Sequence, residues 1–193
     1  MDMRISKVVY FERPGKDNTE EVLRLAKERS EELGIKDIVV ASTTGYTARK
    51  ATEYFNPQEY NLVIVTHCYG FREPNKNEFP ENLRKDLEEK GVKVLTTTHA
   101  LSGSVERAIR KQLGTWMPVE IIANTLKIFG EGMKVVVEIA LMAADSGLVR
   151  TDRDVISIAG TGRGADTAVV LKPEYTFRFF DLRVKEIICM PRE

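Results

Sequence analysis

Cysteine is scarce in this sequence: the 193 residues contain two, Cys68 and Cys189, and no Cys-x-x-Cys pair. A disulfide framework needs several cysteines, and a structural zinc site needs Cys or His ligands in pairs. The chain therefore has neither a disulfide scaffold nor a cysteine-rich zinc site. The two histidines, His67 and His99, have no carboxylate or further cysteine at ligand spacing, so we expect no metal site.

An excess of charge of one sign is also lacking, because 29 Lys and Arg residues balance 29 Asp and Glu residues. Zero net charge excludes the broad basic field of a general nucleic-acid binder and leaves only local basic patches. No run approaches the ~20 apolar residues of a membrane helix, and residues 1–7 contain no apolar signal region. We expect a cytoplasmic protein with no nucleic-acid partner and no membrane partner.

Segments typical of strands alternate with segments typical of helices, which favours a single α/β domain spanning residues 1–193. Apolar and β-branched runs predict strands at 7–11, 37–41, 62–66, 92–96, 154–159, 165–171 and 184–190. Apolar residues spaced by three and four predict helices at 17–33, 46–55, 81–90, 104–113, 118–129 and 133–144. No helix fits between 159 and 165. We therefore expect a mostly parallel sheet with an antiparallel C-terminal extension.

A hydroxyl-rich turn, residues 42–47, joins a buried strand to the helix that begins at 46. The first amides of a helix have no intrahelical acceptor and lie at the positive end of its dipole. The glycine of this turn lets backbone approach a ligand closely. The turn is therefore a candidate phosphate cradle, made of Ser42, Thr43, Thr44, Gly45, Tyr46 and Thr47. The alternative is a plain helix cap, for which Ser and Thr are common.

A second glycine-rich segment, residues 160–165, satisfies the G-x-G-x-x-A pattern of dinucleotide-binding proteins. In those proteins a helix follows the glycines, and its N-terminus meets the pyrophosphate. Here a β-branched run follows, so we interpret the segment as a loop between two strands. Thr161, Gly162, Arg163 and Gly164 are candidates to close over an anionic ligand. A wide hairpin turn is the alternative.

Both histidines follow predicted strands: His67 comes directly after the strand at 62–66, and His99 comes just beyond the strand at 92–96. Ligands of open α/β sheets bind at this carboxyl edge. Each imidazole is a candidate for hydrogen bonding to a ligand or for acid–base chemistry, and a structural role is the alternative. Glu138 lies in the most apolar predicted helix, and we expect it to pair with an Arg or a Lys.

A resemblance to a known family rests on several of these segments. Residues 41–49, ASTTGYTAR, with Tyr54 and Phe55 behind them, resemble the effector-phosphate loop of pyruvate kinase. Three later segments resemble the last helix and final strands of the same domain, in the same order: 140–149, 154–160 and 166–172. Nearly the whole chain is similar to a family of stand-alone, chiefly archaeal, pyruvate kinase C-terminal-domain-like proteins.

The resemblance implies a three-layer α/β/α fold, with a phosphate on the turn 42–47 and the loop 160–164 beside it. It also implies, as a further expectation, a phosphorylated mononucleotide such as FMN as the ligand. The residues expected to line the rest of the site are His67, Gly70, Phe71, His99, Thr161 and Arg163. No segment resembles the catalytic barrel of the kinase, so we expect no pyruvate kinase activity.

Two other functions stay open at this point. One is an enzyme that acts on a phosphorylated metabolite, with His67 or His99 as the acid or base. The other is a non-catalytic regulatory or oligomerisation module, since in the kinase this domain supports subunit contacts. We expect a homo-oligomer.

Overall fold

The computed structural model describes Met3 and residues 5–192. Within them lie seven strands: β1 (Val9–Phe11), β2 (Asp37–Ala41), β3 (Asn61–Val65), β4 (Lys93–Leu95), β5 (Val155–Ala159), β6 (Thr167–Lys172) and β7 (Arg183–Pro191). They form one sheet in the order β1-β7-β6-β5-β2-β3-β4. Every neighbouring pair is parallel except the two that involve β6, which runs antiparallel to β5 and β7. The mostly parallel sheet with an antiparallel C-terminal extension is confirmed.

The helices agree with the sequence pattern to within a few residues. They are α1 (Thr19–Leu33), α2 (Tyr46–Tyr54), α3 (Glu81–Glu89), α4 (Val105–Leu113), α5 (Pro118–Leu126) and α6 (Glu131–Asp145). Short 3₁₀ turns lie at Lys16–Asn18, Lys127–Phe129 and Thr176–Asp181, and the last of these was not predicted. None of the helices in the described part of the chain is long and apolar enough to cross a membrane.

The sheet is covered on both faces, which confirms the three-layer α/β/α arrangement. Side chains alternate along each strand, so Ile38 and Val40 of β2 face one apolar cluster and Val39 faces the other. The first cluster is closed by α1, α2 and α3, and the second mainly by α6. Because both faces of β2 are buried, its sequence is a continuous apolar run rather than an alternating one.

Three neighbouring parallel strands end at the same edge of the sheet. Ala41, the last residue of β2, is in register with Val65, the last residue of β3, and β5 lies on the other side of β2. The ladder continues one residue further, because the Ser42 amide donates to the Val65 carbonyl at 2.9 Å. The residues that follow these strands therefore emerge side by side.

The β5–β6 hairpin is tied to the start of the chain by a buried carboxylate. Asp166 is fully buried, and its Oδ2 accepts hydrogen bonds from the amides of Thr161 and Gly15, each at 2.9 Å. Its Oδ1 accepts from the Thr167 hydroxyl at 2.8 Å. These bonds fix the loop 160–164, and β6, rather than a helix, follows it. The interpretation of this glycine segment as a loop between strands is confirmed.

Helix α6 approaches β6 so closely at Gly132 that a β-carbon there would lie 2.2 Å from Thr167 Oγ1. We expect Gly132→Ala to lower the free energy of unfolding by about 1–3 kcal/mol, because over-packing forces neighbouring atoms to move. Urea denaturation measures the change. Glu131→Ala is the control, since in the described part of the chain this half-exposed side chain forms a surface ion pair with Lys127, worth about 0–1 kcal/mol. Equal stability of Gly132→Ala and the wild type would contradict the packing.

Candidate functional site

A cleft of about 380 Å³ opens at the carboxyl edge of the sheet, between the start of α2 and the first turns of α6. Its volume is at the lower end of small-molecule pockets, which span about 300–1,000 Å³. Eleven of the fourteen residues predicted from the sequence line it: Ser42, Thr43, Thr44, Tyr46, Thr47, His67, Phe71, His99, Gly162, Arg163 and Gly164. The fold therefore brings together residues that are up to 122 positions apart in the chain, from Ser42 to Gly164.

The other three predicted residues, Gly45, Gly70 and Thr161, lie outside the cleft wall. Gly45 has a φ of +89°, and a β-carbon there would lie 2.2 Å from Leu83 Cδ2 on α3. A glycine is required at this position by the left-handed backbone and by the contact with α3. Gly70 and Thr161 contribute backbone hydrogen bonds that shape their own loops.

The start of α2 has open backbone donors. Ser42 Oγ accepts a hydrogen bond from the Ala48 amide at 3.1 Å, and the Gly45 carbonyl accepts from the Arg49 amide at 3.0 Å. Among the described residues, no acceptor pairs with the amides of Tyr46 and Thr47. The plain helix cap thus accounts for Ser42 but leaves the first two amides of α2 available to an anion.

Hydroxyl groups and cations lie in or beside the same cleft as these amides. Thr43 lies on the cleft wall with its Oγ1 3.4 Å from His67 Nε2, and Thr44 is exposed beside it. The Arg163 guanidinium forms no ion pair with any carboxylate in the described part of the chain. Lys16 Nζ lies 4.2 Å from the centroid of the Tyr46 ring, at the same end of the cleft. The arrangement favours a negatively charged group at this position.

Three rings form a cluster on the cleft wall. The centroids of His67 and Phe71 are 4.1 Å apart, those of His67 and His99 are 5.3 Å apart, and those of Phe71 and His99 are 5.4 Å apart. The Arg107 guanidinium lies 5.5 Å from the Phe71 centroid on the α4 side. Such a cluster offers aromatic faces and edges to a planar ligand.

His67 is oriented by a carboxylate. Its Nδ1 lies 2.8 Å from Glu78 Oε2, and the other oxygen of Glu78 lies 3.1 Å from Arg72 Nε. A carboxylate at Nδ1 assigns the proton to that nitrogen in the neutral ring, which leaves Nε2 as the acceptor on the Thr43 side. Within residues 5–192, no group of three His, Cys, Asp or Glu side chains is arranged to hold a metal ion.

A buried ion pair on α6 forms another part of the wall. Lys134 Nζ donates to a carboxylate oxygen of Glu138 and to Ser102 Oγ, the latter at 2.7 Å. Glu138 Oε1 accepts from the Leu101 amide at 2.7 Å and from the Ser102 hydroxyl at 2.9 Å. The expected pairing of Glu138 with a Lys or Arg is confirmed. Lys134 and Ser102 were missed as site residues, although the spacing of four between Lys134 and Glu138 in an apolar helix was visible in the sequence.

Burial and neighbouring charges change two pKa values at this wall. Burial lowers the pKa of His99 below its ordinary value, with nearby His67 and Lys134 acting in the same direction and Glu138 opposing them. For Glu138, burial acts to raise the pKa, but the charge and hydrogen bond of Lys134 and the Leu101 amide outweigh it, so that the net pKa is lowered. His99 is therefore neutral, and Glu138 ionised, at neutral pH.

Comparisons with known proteins identify similarity to pyruvate kinases. The model for the pyruvate kinase alpha/beta domain matches residues 20–171. Two solved structures of pyruvate kinase from Cryptosporidium parvum, one of them in complex with ADP, are similar at 19% and 17% identity, with TM-scores of 0.37 and 0.39. The matches cover 75% and 79% of this chain. They cover only 20% and 22% of the kinase chains, so this chain spans about a fifth of their length.

We expect His99 to titrate below pH 6.5, the ordinary value for histidine. Because the unfolded chain then binds a proton more readily than the folded one, this residue makes the fold less stable as the pH falls below about 6.5. In Glu138→Gln the midpoint falls further, since the attraction of the carboxylate is lost. NMR signals of the histidine rings, followed as a function of pH, give the titration midpoint of His99 in the wild type and in Glu138→Gln. A wild-type midpoint above pH 6.5 would contradict the lowered pKa of His99. His99→Asn identifies which of the two histidine signals is which.

Proposed function

The chain belongs to the family of the pyruvate kinase alpha/beta domain, and from that premise we propose that its cleft binds a phosphorylated small molecule with the phosphate at the start of α2. The observation that carries the proposal is that the amides of Tyr46 and Thr47 have no acceptor among the described residues, while both residues line a cleft of small-molecule size. Thr43, Thr44 and Arg163 supply further donors in the same cleft.

A mononucleotide such as FMN is the ligand that we propose within this class. A phosphate alone would leave most of the cleft unused. The ring cluster of His67, Phe71 and His99 offers a surface for a planar ring, and the apolar side chains Val135, Ile139 and Met142 line the cleft on the α6 side. A ligand with a phosphate at one end and a flat heterocycle at the other matches both parts.

One contact favours a second function, that of an enzyme acting on a phosphorylated metabolite. The Glu78–His67 pair leaves His67 Nε2 as a proton acceptor on the cleft side, 3.4 Å from Thr43 Oγ1. A histidine held by a carboxylate in this way is a common general base. In this alternative His67, rather than the more deeply buried His99, accepts the proton from the bound metabolite.

Thr44→Asp tests the phosphate position, because it adds a carboxylate beside the α2 amides. A carboxylate is favourable at a helix N-terminus, so the fold is retained, but it repels a bound phosphate. We expect at least tenfold weaker binding of both FMN and ribose 5-phosphate, measured by isothermal titration calorimetry. Thr125→Asp, at an exposed position of α5, is the matched control. Equal affinity of Thr44→Asp and the wild type would refute the phosphate position.

We also propose that the protein is a homo-oligomer that associates through α4. This helix buries none of its residues, yet Val105, Ile109 and Leu113 form an apolar stripe on it, in which Val105 is 75% and Leu113 is 70% exposed. Trp116, which follows the helix, is 54% exposed. Amphipathic helices normally cover their apolar stripe, and a second copy of the chain supplies an identical stripe.

Replacing two residues of this stripe tests the association. We expect the wild type to sediment as an oligomer and Val105→Lys/Leu113→Lys to sediment as a monomer, because charges cannot be buried between the stripes. Ile5→Lys is the control, since Ile5 is equally exposed, at 84%, but lies outside α4. A wild-type protein that stays a monomer at every concentration in sedimentation velocity would rule out the oligomer.

A further inference from the structure

The Lys134–Glu138 ion pair is almost fully buried, and a contribution to stability does not by itself explain this burial. The side chains are 6% and 5% exposed, and they lie on a helix whose other inward residues are apolar. Removing two charges from water costs free energy that their attraction does not reliably return, and apolar pairs of similar volume are often as stable. A buried ion pair on a cleft wall is therefore better explained by what it binds than by the stability it contributes.

The pair also has hydrogen-bonding capacity left over. A lysine ammonium has three N–H donors, and in the described part of the chain Lys134 uses two of them, on Ser102 and Glu138. A carboxylate has about four acceptor positions, and Glu138 uses three, for Leu101, Ser102 and Lys134. One N–H donor of Lys134 and one acceptor position of Glu138 therefore remain, and both residues line the cleft.

The charges of the pair determine which group it accepts. A second phosphate or a carboxylate would meet the negative charge of Glu138 as well as the positive charge of Lys134, and the two effects cancel. A neutral edge that presents a carbonyl oxygen beside an N–H matches the pair, because the carbonyl accepts from Lys134 and the N–H donates to Glu138. Cyclic imides and amides, such as those of uracil-type and flavin rings, have this edge.

We propose that Lys134 and Glu138 form a second subsite, which recognises the carbonyl/N–H edge of the ring of the phosphorylated ligand. This inference rests on the proposed function, since the phosphate is held at the start of α2. The ring cluster of His67, Phe71 and His99 holds the faces of the ring, and the α6 pair selects its edge. The ligand class is thereby narrowed from phosphorylated metabolites to phosphomonoesters that carry an imide or amide heterocycle.

Calorimetry with three probes separates the two subsites in the wild-type protein: FMN, FMN methylated at the imide nitrogen, and ribose 5-phosphate. We expect FMN to bind at least tenfold more tightly than either of the others, because the methyl group removes the donor for Glu138 and ribose 5-phosphate has no planar heterocycle. If ribose 5-phosphate binds as tightly as FMN, or methylation has no effect, the edge subsite is refuted while the phosphate site stands. If none of the three binds, the proposed function itself fails.

The double variant Lys134→Met/Glu138→Gln tests whether this pair causes the discrimination between FMN and methylated FMN. The double variant leaves no lone buried charge, and Gln keeps an acceptor for Leu101 and Ser102, so the fold is retained; thermal unfolding followed by circular dichroism checks this. We expect it to bind FMN and methylated FMN equally and to keep the wild-type affinity for ribose 5-phosphate. Unchanged discrimination between FMN and methylated FMN, or parallel loss of ribose 5-phosphate binding, would overturn the assignment.

Discussion

Parallel pairing of β5, β2 and β3 in close register is the constraint on which the rest of the structure depends. Because these strands point the same way, their carboxyl ends meet at one edge, and the residues that follow each of them face a common space. The start of α2 comes from the end of β2, the ring of His67 from the end of β3, and the loop that bears Arg163 from the end of β5. A slip of one residue in this register would exchange the side chains that face the two apolar clusters.

The affinity for an anion that we propose for this cleft has to come from local contacts. The protein as a whole has no net charge, so no long-range field draws a phosphate towards it. What the described part of the chain offers instead is short-range: two backbone amides without acceptors, threonine hydroxyls and Arg163, which has no carboxylate partner there. On the opposite wall, Lys134 is already neutralised by Glu138. Because of this asymmetry, we expect the proposed ligand to lie with its anionic end at α2 and its neutral end at α6.

The sequence was informative where local pattern decides the structure. The bounds of β2 and the start of α2 agree with the prediction, because a continuous apolar run followed by a hydroxyl-rich turn is a local feature. Gly45 was attributed to ligand approach, but its neighbour is Leu83, 38 residues away. Ser102 and Glu138 meet across 36 residues, which no local pattern reveals. The 3₁₀ turn Thr176–Asp181 has no apolar period to mark it.

The central claim is that the cleft holds a phosphomonoester of a planar heterocycle. Native mass spectrometry of protein purified under mild conditions tests it directly, because it reports any retained small molecule together with the number of chains. The account predicts one such molecule per chain, either retained from the source or gained when FMN is added, with the extra mass lost in Thr44→Asp. A wild-type protein that carries no small molecule and gains no mass with FMN or nucleoside monophosphates would contradict it.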